Sequence, residues 1–123
     1  MIVRIAETKD VPEIVDLLAA AFPQHPRSRR HWEWSHSDGR GLAAVAEKDG
    51  RIVGHYSFGR RPFERCGRKY MAGFGQQAAV HPAHRDLGTI VELIKFAEAS
   101  SGCDFVFAFP NGNMAPIKGR LLD

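Results

Sequence analysis

The stretch Val80-His81-Pro82-Ala83-His84-Arg85-Asp86-Leu87-Gly88-Thr89-Ile90 decides the fold. It reads as the end of a strand, a tight turn and the first turn of a helix that continues through Val91-Glu92-Leu93-Ile94-Lys95-Phe96-Ala97. Pro82 lacks an amide hydrogen and has a fixed φ, which suits the turn. Ile90, Leu93, Ile94 and Ala97 recur at helical spacing and form one apolar face, with Glu92 and Lys95 on the other side. A helix start presents N–H groups without intrahelical partners and the positive end of the macrodipole. Gly88 lets a ligand approach without meeting a Cβ, and Arg85 adds a charge with fork geometry. This combination suits a pyrophosphate held mainly by backbone donors. An ordinary helix start with a surface arginine is the plainer reading, and the local pattern alone leaves the two level.

Working outward, Ile2–Ala6 alternates like a short strand. Asp10-Val11-Pro12-Glu13 has a capping-box pattern, with Ile14, Leu17, Leu18 and Ala21 as the buried face of the helix that follows. A second, short helix is expected over Ser28–Ser35, carrying Trp32 and Trp34. Leu42–Glu47 and Arg51–Phe58 are strands joined at Lys48-Asp49-Gly50, where Asp-Gly signals a hairpin. After a turn at Gly67, Lys69–Val80 forms the next strand, and Gly73 and Gly75 within it predict a bulge or a close backbone approach. Cys103–Phe109 is an apolar strand apart from Asp104, expected to be central. Pro110-Asn111-Gly112-Asn113 is a turn that opens a last helix.

The chain has 123 residues, 44% hydrophobic and 25% charged, which fits one domain over residues 1–123. No apolar run reaches the ~20 residues of a membrane helix, and the N-terminal run holds Glu7 and no long apolar core, so neither a membrane partner nor a signal peptide is expected. Cys66 and Cys103 lack disulfide-framework or metal spacing, and the six histidines are scattered, so no metal site and a cytoplasmic setting are expected. The net charge is +3, and arginines bunch at Arg27, Arg29 and Arg30 and at Arg60, Arg61, Arg65 and Arg68. Solvated surface is preferred here over nucleic-acid binding, with attraction of an anionic cofactor as a third reading.

Val-His-Pro-x-x-Arg-x-x-Gly between a strand and an amphipathic helix, in this order of elements, resembles the GNAT superfamily of acyl-CoA-dependent N-acetyltransferases. The family signature is Arg/Gln-x-x-Gly-x-Gly/Ala. Arg85 and Gly88 match its first two fixed positions, and Ile90 departs from the small third one. Phe109-Pro110-Asn111 is similar to a Phe-Pro-Asn segment after the fifth strand in one branch, and Trp32-Glu33-Trp34 to a Trp-x-Trp pair before the second strand. The resemblance covers nearly the whole chain. It implies an α+β fold: a mixed, mostly antiparallel sheet flanked by helices, here incomplete at the C-terminal end.

The resemblance implies acetyl-CoA as co-substrate and a small-molecule or peptide amine as acceptor. Arg85, Leu87, Gly88, Thr89 and Ile90 would hold the pyrophosphate, and the backbone of Ala78, Ala79 and Val80 the pantetheine arm, in a gap where that strand splays from Asp104–Ala108. His81 and Asn111 are the catalytic candidates, His81 also reading as a structural member of its His-Pro turn. Trp32, Trp34 and Tyr56 are the acceptor-side candidates, with packing as the plainer reading, and His55 is a further candidate base. The acidic residue many members carry on the fourth strand is missing: no Asp or Glu lies between Arg65 and Arg85. The tyrosine after the fifth strand is missing too, its place falling near Lys118. The usual last two strands are absent, which reads as a fragment of a longer protein, a natural short form, or a chain whose open sheet edge is completed by a partner such as a second copy. A catalytically inactive CoA-binding or protein-interaction module is the alternative.

Overall fold

In a computed structural model the described residues of the chain form one five-stranded sheet with helices on both faces. The structure describes residues 1–24, 28–37, 39–84 and 87–108. The order is β1 (Ile2–Ile5), a 3₁₀ turn (Thr8–Asp10), α1 (Val11–Ala21), α2 (Arg29–His36), β2 (Gly41–Lys48), β3 (Arg51–Arg65), β4 (Arg68–Val80), a 3₁₀ turn (Pro82–His84), α3 (Leu87–Ser100) and β5 (Phe105–Ala108). The strands lie in sequence order, with β1 to β4 antiparallel and β4–β5 parallel. The α+β sheet read from the sequence is therefore present, mostly antiparallel and mixed.

Val11, Ile14, Leu17, Leu18 and Trp32 pack from α1 and α2 onto Ala43, Val45, Ile52 and Ala79. Leu93, Ile94 and Ala97 of α3 pack on the opposite face, against Ala44, Ala46, Tyr56, Phe58 and Val80. Helices cover β2 on both sides, so its successive residues are all buried and all small, Ala43-Ala44-Val45-Ala46. Gly54 belongs to the same constraint: a Cβ there would lie 2.5 Å from Leu93 Cδ1 and 3.3 Å from Ala46 Cβ.

Four sequence expectations shift. The capping box forms one turn early, between Glu7 and Asp10, and caps the 3₁₀ turn. Asp10 is taken by Arg4, whose guanidinium donates to both carboxylate oxygens at 2.6 and 2.9 Å, while Glu13 accepts the Ile52 N–H at 3.0 Å. The Arg4 guanidinium holds the Asp10 carboxyl below the usual range, against the opposing effect of burial. Strand β3 runs to Arg65, well past Phe58, because Cys66-Gly67 makes a two-residue hairpin turn with φ +53° and +76°, matching Asp49-Gly50 at +53° and +77°. The bulge in β4 falls at Gln77–Ala78, away from both glycines. Gly73 instead permits a close approach, since a Cβ there would lie 2.9 Å from Cys103 Sγ. Finally, β5 spans Phe105–Ala108 and its one neighbour among the described residues is β4, so the central position expected for it is not seen there.

Candidate functional site

The site is organised around the C-terminal half of β4. Register places His55 opposite Ala79 and Ser57 opposite Gln76, so Tyr56 of β3 faces two residues, Gln77 and Ala78. This is a β-bulge, and Gln77 takes φ +55° within it. The β4–β5 ladder is described from Ala72–Phe105 to Gly75–Ala108, and Gln76–Val80 extend beyond that last described pair. The bulge thus begins the segment Ala78–Val80 that the resemblance assigned to the pantetheine arm. Ala79 and Val80 are buried and pair with β3 on their other edge.

A buried polar chain holds the bulge. The Trp32 indole Nε1–H donates to His55 Nε2 at 3.2 Å, and His55 Nδ1–H donates to the Gln77 carbonyl at 2.9 Å. An indole N–H can only donate, which fixes Nε2 as acceptor and Nδ1 as the protonated nitrogen. His36 stacks on the Trp32 ring with centroids 4.1 Å apart, and its Nδ1–H donates to the Trp32 carbonyl at 2.8 Å. Burial pushes the His55 imidazole down to about 4 and lowers His36 as well. With both ring nitrogens engaged and its charged form disfavoured, His55 positions the bulge and is poorly suited to be the candidate base.

Helix α3 starts at Leu87, so Leu87, Gly88, Thr89 and Ile90 make up its first turn. Leu87 and Gly88 are exposed, and Thr89 is buried against β3, its Cγ2 3.6 Å from the position of a Gly54 Cβ. The turn read as a pyrophosphate cradle is therefore open on the side of Gly88. Arg85 precedes it by two positions and lies outside the described residues, as does Asn111.

His81 is half-buried, and its Nδ1 accepts the Ala83 N–H at 3.1 Å while its own N–H donates to the Val53 carbonyl at 2.8 Å. In the neutral ring the remaining proton sits on Nε2, so the lone pair a base would use is spent on the turn. The acceptor-side candidates are not brought together. Trp32 is buried under α2 on one face, and Tyr56 is 3% exposed on the α3 face, stacked edge-on against Phe58. Trp34 is 63% exposed beneath the Arg40 guanidinium, 5.1 Å from its ring. Sequence reading missed the Gln77 bulge and the partner of His55; the i, i+2 spacing of the tryptophans was the signal that only one could turn inward.

No three His, Cys, Asp or Glu side chains converge on a metal-sized site among the described residues, and no helix there is long and apolar enough to cross a membrane. The family model for the acetyltransferase (GNAT) domain matches residues 2–111. A search of curated proteins found no similar sequence. Among solved structures, an acetyltransferase from Trypanosoma brucei is 25% identical with a TM-score of 0.76, covering 98% of this chain and 89% of that one. A ribosomal-protein-alanine N-acetyltransferase from Brucella melitensis is 24% identical with a TM-score of 0.71, covering 93% and 84%. A protein from Clostridium acetobutylicum described as a predicted acetyltransferase, solved with acetyl-CoA, is 14% identical with a TM-score of 0.72, covering 96% and 86%. The last two show a shared fold.

Proposed function

This chain belongs to the GNAT acetyltransferase family, and we propose that it transfers an acetyl group from acetyl-CoA to a primary amine. The observation that carries the proposal is the pairing of an open first turn of α3, at Leu87–Ile90, with a bulged β4 that ends in the same connection. Gly88 is exposed and has no Cβ, so a pyrophosphate could reach the N–H groups of that turn, with Arg85 adding charge. The backbone at Ala78–Val80 is the proposed support for the pantetheine amides, as an extended segment laid along a strand.

Bound acetyl-CoA would supply the acyl thioester; the chain supplies positioning. The amine forms the new C–N bond, the C–S bond breaks, the thiolate takes a proton and the ammonium proton must leave. Asn111 and His81 are the proposed polar groups for orienting the cofactor and handling that proton, His81 on condition that its bond to Ala83 opens. A cytoplasmic setting and pairing of a second copy along β5 complete the proposal.

A second reading, acyl-CoA binding without turnover, is favoured by the engaged nitrogens of His55 and His81 and by the lack of any carboxylate between Arg65 and Arg85. Thiol release from acetyl-CoA, measured against a panel of amines, separates the two. Amine-dependent, saturable release supports transfer; saturable CoA binding without release supports the second reading; no binding overturns both.

A further inference from the structure

The far end of the β3–β4 ribbon has no role in the proposed transfer, and its two faces differ. Pairing with β2 ends at Gly41–Gly59, so from Arg61 onward the ribbon extends beyond β2 for roughly 15 Å. Register sets the faces: Arg61 opposes Ala72, Phe63 opposes Tyr70 and Arg65 opposes Arg68, all on one face. Glu64, the single acid of the ribbon end, alternates onto the other face, directly across from Lys69. Asp104, beside the edge of β4, is engaged: it accepts the Met71 N–H at 2.6 Å.

Among the described residues one face therefore carries three arginines and no acid, with flat rings between them. Phe63 lies 5.4 Å from Tyr70 and meets Phe105 edge-on at 5.2 Å, and Phe63 and Phe105 are 41% and 42% exposed. Behind Phe63 a recess of about 240 Å³ opens between Arg61, Phe74 and Phe105. Arg65 and Arg68 face each other across the turn, and like charges directly opposed destabilise a hairpin. An anion lying across both would remove that repulsion.

We propose that this face of the β3–β4 ribbon binds single-stranded nucleic acid, with Arg61, Arg65 and Arg68 on phosphates and Phe63 and Tyr70 stacking bases. Rows of side chains on one face repeat every ~6.8 Å along the ribbon, alternating cation and ring. Stacking of bases on aromatic rings is tolerant of sequence and needs unpaired bases, which selects single strands over duplex. An acidic peptide would meet the arginines and leave the rings unused. The linear sequence shows the arginines bunched, yet only the register shows that the acid is segregated from them.

The test is fluorescence anisotropy with a labelled 12-nucleotide oligo(U), at 50 and 200 mM KCl. Three phosphate contacts predict a roughly twentyfold loss of affinity between those salts. The Arg61→Ala/Arg65→Ala/Arg68→Ala variant should abolish that dependence along with most binding, and Phe63→Ala should weaken binding roughly tenfold at either salt. All four side chains are exposed, so the sheet's interior is unaltered. Lys69→Ala, on the other face, should change affinity by less than threefold. Absent binding, a duplex of the same length binding as tightly, or a poly-glutamate peptide binding equally well without Phe63 would overturn the proposal. The assay reads binding alone, so its outcome is independent of acetyl transfer.

Discussion

The indole of Trp32 donates to His55 across 3.2 Å inside the space between α2 and β3, 23 residues apart in sequence. Through the other ring nitrogen His55 then reaches the carbonyl of Gln77, so one imidazole ties α2 to the β4 bulge. Trp32→Phe keeps one aromatic ring but deletes the donor and the pyrrole part of the indole, stranding a buried lone pair on His55 and leaving a small void beside it. The expected loss is about 1–3 kcal/mol, read as a lower urea midpoint at unchanged m-value. An unchanged midpoint would mean that the bond does not bear on stability.

The same histidine predicts an acid limb. Folding lowers the His55 imidazole to about 4, so below an unfolded value near 6.5 the unfolded chain binds a proton that the folded chain refuses. Stability is full above that value and falls as pH drops toward 4, by about 3 kcal/mol over the window for His55. His36, also lowered by burial, acts in the same direction. Asp10, held low by Arg4, adds its own loss only below the ordinary carboxylate range. Unfolding midpoints across pH 4–7 measure this limb. His55→Gln should flatten most of it while lowering stability at pH 7; a slope that survives in this variant would assign it elsewhere.

Where local chemistry set the structure, the sequence was readable. Asp49-Gly50 turns with two positive φ values, as Asp-Gly favours, and Ile90, Leu93, Ile94 and Ala97 face the sheet as their spacing requires. Gly67 marked the turn that Cys66-Gly67 makes, but the charged, Pro62-containing run Gly59–Arg65 does not read as a strand, so β3 outran its expected end. Gln77 has no local preference for φ +55°; that bulge is set by the register against β3 and by the distant His55. In the site, the helix start and Gly88 were legible, whereas the use of His81 Nδ1 as a backbone cap depends on a turn geometry that residue type does not encode.

Gly54 is the point where α3 meets the sheet most tightly. In Gly54→Ala the new methyl would press on Leu93 Cδ1, a movable group, and on Ala46 Cβ, which is fixed to β2. We expect about 1–3 kcal/mol of destabilisation. Leu93→Ala in the same background should recover less than its own cavity removes, so the two effects should be non-additive in a double-mutant cycle.

Gly88 separates folding from binding. It sits exposed in the first turn of α3, where alanine is the better helix former by roughly 0.5–1 kcal/mol. Gly88→Ala should therefore raise the melting temperature slightly while its Cβ weakens acetyl-CoA binding about tenfold. Movement of both in the same direction would remove this turn from the binding site.

Calorimetric titration of acetyl-CoA into the intact chain and its Arg85→Ala variant tests the central claim most directly. The account predicts one saturable site, with affinity reduced in the variant by about 1–3 kcal/mol for a lost charge-assisted contact. Absence of heat at millimolar acetyl-CoA, or equal affinity in both proteins, would contradict it.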